Sequence, residues 1–190
     1  ANPSKALLAV AFSLPSTFSL SLPLLLLPDV LMNRLSPISK AIVLAQQWDM
    51  IIAFPPCTYL TNGGAVRMYP TKGNIDPVRF EKAMEAKEFF MLFYNADCPR
   101  ICIENPMPMN CVGLPTKDQV IQPYQFGDPF SKRTYLWLKG LAPLEHTDVL
   151  DTYRPFINGG GGRLNKPNYV GGEFRNGSKA RSKTFPGIAA

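Results

Sequence analysis

The stretch WDMIIAFPPCTYL, residues 48–60, governs the interpretation of the chain around it. Its first half is an apolar run of the length of a buried strand. The run stops at Pro55 and Pro56, because neither proline can donate a hydrogen bond to a neighbouring strand. Cys57 follows at once. The sequence therefore predicts a thiol beyond the carboxyl end of a buried strand, held in a fixed position by two prolines.

A helix and a second strand follow this stretch. Asp76 and Pro77 form a helix start, with a side chain that caps the first turn and a residue that needs no amide hydrogen there. The spacing predicts a helix to about Tyr94, with an apolar stripe of Phe80, Ala83, Met84, Met91 and Tyr94. Residues 100–103, an arginine followed by three apolar residues, then predict a second strand, which stops before ENP at 104–106.

Strand, helix and strand in this order form a βαβ unit, whose two strands are parallel. The segments PPCT at 55–58 and ENP at 104–106 are therefore expected at one edge of the sheet, where open α/β sheets bind ligands. TYLWLKGL at 134–141 predicts a third strand. We predict an α/β fold with a Rossmann-like, mostly parallel sheet flanked by helices, followed by an irregular Gly-rich basic segment.

Composition and charge divide the chain into three parts. With 190 residues, of which 46% are hydrophobic and 12 are Phe, the chain can bury a core and is unlike a disordered protein. Residues 1–47 form an atypical hydrophobic segment, and 48–150 form the nearly neutral α/β core. Residues 151–190 carry seven basic and two acidic side chains, a balance that suits a polyanion such as DNA.

The N-terminal segment contains an uncharged run at residues 6–28. The run is long enough to cross a bilayer, but Pro15 and Pro23 would each kink a helix that spanned it. We therefore predict buried strands or a hydrophobic helix pair, with membrane association as the alternative. Four cysteines without a disulfide pattern suit a reducing compartment, so the expected location is the cytoplasm.

Cys57 and Glu104 are the side chains at this sheet edge that can perform chemistry together. A thiolate is a strong nucleophile, and a carboxyl group placed after an apolar strand is desolvated and can keep a proton near neutral pH. The pair suits attack on an electron-poor ring, in which the thiolate adds to carbon and the acid stabilises the ring nitrogen. Taken singly, Cys57 is more typical of a buried structural cysteine than of a nucleophile, and Glu104 is ordinary as a cap or turn residue.

These residues resemble the cytosine-5 DNA methyltransferases. FPPC at 54–57 and ENP at 104–106 resemble the family's Pro-Cys and Glu-Asn-Val motifs. Small DNA methylases of phages and prophages are more similar still, and the resemblance to them covers residues 48–190. Five segments in order carry it: PPCTYL at 55–60, IENP at 103–106, QPYQFG at 122–127, TYLWLKGL at 134–141 and SKTFPGIA at 182–189.

The resemblance implies a mechanism, a cofactor and a partner. Cys57 would attack C6 of a cytosine in DNA, Glu104 would hold N3, and C5 would take a methyl group from S-adenosylmethionine, after the base has left the stack of a duplex. Cofactor contacts are then expected at Asp49, for the ribose hydroxyls, and at Pro55 and Pro56. Asn62, with Gly63 and Gly64, would belong to a mobile loop that closes over the base. Nucleic-acid contacts are expected at Asn62, Lys132, Arg133, Arg175, Lys179, Arg181 and Lys183.

Departures from the family keep other functions open. No glycine precedes Gly63, although the family has a Gly-rich cofactor loop near its N-terminus, so the alternative is a catalytically inactive nucleic-acid-binding relative. An amino-methyltransferase fits less well, because Phe54 and Cys57 replace the residues that would hold the exocyclic amine. No metal is predicted, since the possible zinc ligands lack a two-residue knuckle. These ligands are Cys98, Cys102, Cys111 and His146.

Overall fold

The computed structural model describes residues 6–10, 24–28, 48–155 and 186–189. They fall in two compact units. The first contains the described residues up to Gln119 together with Tyr135–Pro143, and the second contains Val120–Thr134 and the described residues from Leu144 onward. The three predicted parts are defined by composition alone. The compact units have other boundaries, because the chain leaves the first unit after Gln119 and returns to it at Tyr135.

The main sheet has six strands in the described part of the chain, and they combine with helices into a mixed α/β fold, as predicted. Its strands are β1 (Ala6–Val10), β2 (Leu24–Pro28), β3 (Met50–Ala53), β4 (Ile101–Pro106), β5 (Gln119–Ile121) and β7 (Thr134–Lys139). Their order is β2-β1-β3-β4-β7-β5. The pairs β1–β2, β1–β3 and β3–β4 are parallel. A second, parallel ribbon joins β6 (Phe130–Ser131) to β8 (Arg154–Pro155).

Strands β1 and β2 occupy part of the uncharged N-terminal run. They pair in parallel, with Ala6 opposite Leu24. Continuous apolar sequence is typical of strands in a parallel sheet that is covered on both faces. The predicted strands are therefore confirmed for these residues, while 11–23 lie outside the described part. No helix among the described residues is long and apolar enough to span a membrane.

The helices are α1 (Ala65–Met68), α2 (Pro77–Tyr94) and α3 (Pro186–Ala189). Helix α2 has the predicted bounds, and the Asp76 side chain caps it by accepting a 2.7 Å hydrogen bond from the Arg79 amide. The predicted apolar stripe is confirmed except at Tyr94. Ala83 is fully buried, and Phe80, Met84 and Met91 pack partly buried against the core, whereas Tyr94 is 38% exposed. The stripe omitted Phe90 and Phe93, which are also buried, and Phe90 packs edge to face on Trp137 of β7, with ring centroids 5.0 Å apart.

Strand β4 is longer than predicted. It continues through Glu104 and Asn105 to Pro106, so ENP forms the end of the strand and not the loop after it. Burial alternates along β4, with Ile101, Ile103 and Asn105 buried and the residues between them half-buried. Strand β4 lies between β3 and β7 in the sheet order, so it has a neighbouring strand on each side. A strand with two neighbours can extend past the apolar residues from which it was predicted.

Candidate functional site

The parallel pairing of β3 and β4 brings the two predicted motifs to one edge of the sheet. Ile51 lies opposite Ile101, and Ala53 lies opposite Ile103. Glu104 is the next residue after Ile103, and Cys57 is four residues beyond Ala53. Both side chains are half-buried and lie on the carboxyl side of this strand pair. The expectation that PPCT and ENP share an edge therefore holds.

Asn105 links these two motifs directly. Its side chain is fully buried, and Nδ2 donates a 2.8 Å hydrogen bond to the carbonyl oxygen of Pro55. Oδ1 has no hydrogen-bond partner among the described residues. No role was predicted for Asn105 from the sequence, although its spacing from Ile101 and Ile103 places it on their buried face. A polar residue at an inward position of a strand is the signal that could have found it.

Beyond the strands, the chain segments that follow the two motifs pair with each other in antiparallel fashion. The Asn62 amide donates to the Met107 carbonyl at 2.8 Å, and the Met109 amide donates to the Leu60 carbonyl at 2.8 Å. A bridge between Thr61 and Pro108 lies between these two bonds. The segment after Cys57 is therefore fastened to the segment after Glu104.

Cys57 begins a tight turn. Its carbonyl oxygen accepts hydrogen bonds from the amides of Leu60 at 3.0 Å and Thr61 at 2.9 Å. The two prolines before it and the double hydrogen bond after it fix the main chain on both sides of the thiol. Cys57 is a free cysteine, as are Cys98, Cys102 and Cys111. A thiol held in this way can be presented repeatedly in one orientation.

Cys102 differs chemically from Cys57. It lies two residues before Glu104, on the same face of β4. Burial and, as the smaller cause, the neighbouring Glu104 charge together raise the pKa of the Cys102 thiol to about 11. At neutral pH Cys102 is therefore protonated and a poor nucleophile.

The structure does not bring Asp49 to this edge. Asp49 precedes the first residue of β3, whereas Cys57 follows its last residue. An extended chain rises about 3.3 Å per residue, so the two residues lie at opposite ends of the strand. The Asp49 carbonyl accepts a 3.1 Å hydrogen bond from Arg100 Nε, at the start of β4. The other predicted cofactor contacts do lie at the edge of Cys57, with Pro55 buried and Pro56 half-buried.

The predicted nucleic-acid contacts are dispersed. Asn62 is exposed and begins a 3-10 helix, Asn62–Gly64. Thr61 Oγ1 caps it by accepting from the Gly63 amide at 3.4 Å. Lys132, half-buried, and Arg133, exposed, lie between β6 and β7. The remaining four lie outside the described residues: Arg175, Lys179, Arg181 and Lys183.

The cysteines and the histidine do not form a metal site within the described part of the chain. No group of three or more metal-ligating side chains occurs there. Cys98 is buried, and its Sγ lies 3.3 Å from the Trp48 carbonyl oxygen and 3.2 Å from the Arg100 carbonyl oxygen, so the thiol is used as a hydrogen-bond donor.

Comparison with known proteins adds no relative. No protein-family model matches the chain, and no curated protein matches it.

Proposed function

We propose that the protein is an S-adenosylmethionine-dependent cytosine-5 DNA methyltransferase that acts through a covalent Cys57 adduct. The observation that carries the proposal is the placement of Cys57 and Glu104 beyond and at the carboxyl ends of two adjacent parallel strands. The Asn105 to Pro55 hydrogen bond supports it, because it joins the two motifs that carry the resemblance.

The strand order supports a Rossmann-like sheet within this proposal. Strands β2 and β3 flank β1, and both are parallel to it, so the order of the strands reverses at β1. Such a reversal opens a crevice at the carboxyl ends of the strands, and open α/β sheets bind ligands there. Cys57 follows β3, one of the two strands that border this point.

Cys57 and Glu104 would share the work of activating the ring. The Cys57 thiol loses its proton to solvent, and a sulfur electron pair forms the bond to C6. The electrons of the C5–C6 double bond move towards N3, which Glu104 stabilises through a hydrogen bond from its protonated carboxyl group. C5 thereby becomes nucleophilic and can be alkylated. Loss of the C5 proton to solvent and cleavage of the S–C6 bond return the thiolate.

The methyl donor is the part of the proposal that rests on resemblance alone. S-adenosylmethionine supplies an electrophilic methyl group on a sulfonium sulfur. The described residues do not fit it in one respect, because Asp49, the predicted ribose contact, lies at the opposite edge of the sheet from Cys57. Residues 11–23, which follow β1, lie outside the described part.

A denaturing-gel assay with two modified DNAs tests nucleophile and donor separately. DNA with pyrimidin-2-one in place of cytosine adds a thiolate readily and needs no methyl donor. DNA with 5-fluorocytosine retains the enzyme only after methyl transfer, because fluorine blocks the elimination. We expect both DNAs to give a shifted band with the wild type, the second only with S-adenosylmethionine. Cys57→Ala should give neither band.

Cys102→Ala is the matched control, because Cys102 is a nearby free thiol that burial keeps protonated. It should give both bands. A band with pyrimidin-2-one but never with 5-fluorocytosine would retain the nucleophile and reject the donor. If folded protein binds DNA and neither band forms, the proposal fails and an inactive nucleic-acid-binding relative is the better interpretation.

A further inference from the structure

Arg79, in the first turn of α2, reaches across to the segment that follows Cys57. Its Nη2 donates a 3.0 Å hydrogen bond to the carbonyl oxygen of Thr58. Its guanidinium carbon lies 5.0 Å from the ring centroid of Tyr59, within cation–π range. The Arg79 amide is itself fixed by the Asp76 cap, so the side chain extends from a rigid point.

Gly64 lies close to the guanidinium group of Arg79. A Cβ atom at Gly64 would lie 2.8 Å from Arg79 Nη2 and 3.5 Å from the Thr58 carbonyl oxygen. These separations leave no room for a side chain unless Arg79 moves. The segment from Thr58 to Gly64 therefore passes around the end of Arg79, and the glycine is the residue that permits the close approach.

We propose that Arg79 is a positioning residue that holds the Cys57 turn in the orientation needed for attack. Thr58 is the residue next to Cys57, so the contact acts one peptide unit from the nucleophile. Arginine suits the task because its planar fork can donate to a carbonyl while it stacks on a ring, which the point charge of lysine does less well. As a role in catalysis, this inference rests on the proposed function, whereas the effect on the turn does not.

Amide hydrogen exchange measured by NMR tests the effect on the turn. The amides of Leu60 and Thr61 donate to the Cys57 carbonyl and report whether the turn is closed. We expect Arg79→Gln to accelerate their exchange by roughly tenfold, with a smaller effect from Arg79→Lys. Lys82→Gln is the matched control, because Lys82 also lies over the Tyr59 ring, at 5.9 Å, and should leave both amides unchanged.

The rate of adduct formation tests the effect on the thiol. In single turnovers with pyrimidin-2-one DNA, Arg79→Gln should slow formation of the Cys57 adduct by roughly tenfold or more, because a small displacement of a reacting atom is costly. The dissociation constant for DNA should change little. Gly64→Ala, which displaces the guanidinium while retaining Arg79, should reproduce both effects and provides a second variant if Arg79→Gln does not fold.

The outcomes separate the two proposals. If Arg79→Gln and Gly64→Ala match Lys82→Gln in amide exchange, Arg79 does not hold the turn and the inference is overturned. Faster exchange with an unchanged adduct rate would also overturn it, since the turn would then be irrelevant to attack. If the wild type forms no adduct at all, the proposed function fails, and faster exchange in Arg79→Gln would still show that Arg79 holds the turn.

Discussion

Replacing Asn105 with aspartate introduces a titratable group at the junction of the two motifs. In the wild type, the fully buried Asn105 donates through Nδ2 to the Pro55 carbonyl at 2.8 Å. An ionised carboxylate there would be desolvated and would face an acceptor. A protonated carboxyl group could donate to the same carbonyl. Both effects raise the pKa of the introduced group above its usual value of about 3.9.

The sign and size of the effect follow from proton linkage. Below about pH 4, the group is protonated in the folded and unfolded states, and the variant retains most of its stability. As pH rises, the unfolded state releases the proton and the folded state keeps it. The free energy of unfolding then falls by about 1.4 kcal/mol per pH unit until the folded-state pKa is reached. Between pH 4 and 6.5 the loss is about 3 kcal/mol, a large part of a typical stability of about 5–15 kcal/mol.

Urea unfolding followed by tryptophan fluorescence measures this loss, because Trp48 and Trp137 are both buried. The wild-type value at each pH is subtracted from that of Asn105→Asp, and Asn105→Ala serves as the control. The alanine variant leaves the Pro55 carbonyl without its donor, so its deficit should be about 1–3 kcal/mol and independent of pH. A flat difference for Asn105→Asp between pH 4 and 6.5 would refute the buried contact and the reasoning built on it.

Substitutions at four further positions test local geometry and titration. Gly140 has φ +61°, and a Cβ there would overlap the Pro99 carbonyl oxygen, so Gly140→Ala should lower the free energy of unfolding by about 2–4 kcal/mol. Gly73→Ala, at φ +85° with nothing within 4 Å, should cost only the backbone strain, about 1 kcal/mol, in the same urea assay. Asp76→Ala should remove about 1 kcal/mol through loss of the α2 cap, and recovery with Asp76→Asn would attribute the loss to capping. Because the folded-state pKa of Cys102 is raised to about 11, its stabilising contribution is present below pH 9 and is lost as pH rises towards 11. The wild type should therefore lose up to about 2–3 kcal/mol more than Cys102→Ala over that range, and equal losses would contradict the burial of the thiol.

Local signals in the sequence predicted the elements that position Cys57. Two prolines end β3, and an aspartate followed by proline begins α2, because each of these residues acts on the main chain within a few positions of itself. The parallel pairing of β3 with β4 followed from the helix between them. These predictions needed no knowledge of distant contacts, and they were right to within a few residues.

The contacts that hold the site depend on residues far apart in the chain. Asn105 reaches Pro55 across 50 positions, and Arg79 reaches Thr58 across 21, so no local pattern indicates either pairing. Asp49 is a different case. The sequence already placed it before a strand that Cys57 follows, and the two ends of a strand lie at opposite edges of a sheet.

Several of the contacts that hold the segment around Cys57 are made to its main chain. Asn105 and Arg79 bind carbonyl oxygens, and Met107 and Met109 bind main-chain atoms of the turn that follows. The side chains of Thr58 and Asn62 are exposed, so these residues can vary without loss of those bonds. A turn built in this way fixes the main chain around the thiol and leaves the exposed side chains beside it out of those hydrogen bonds.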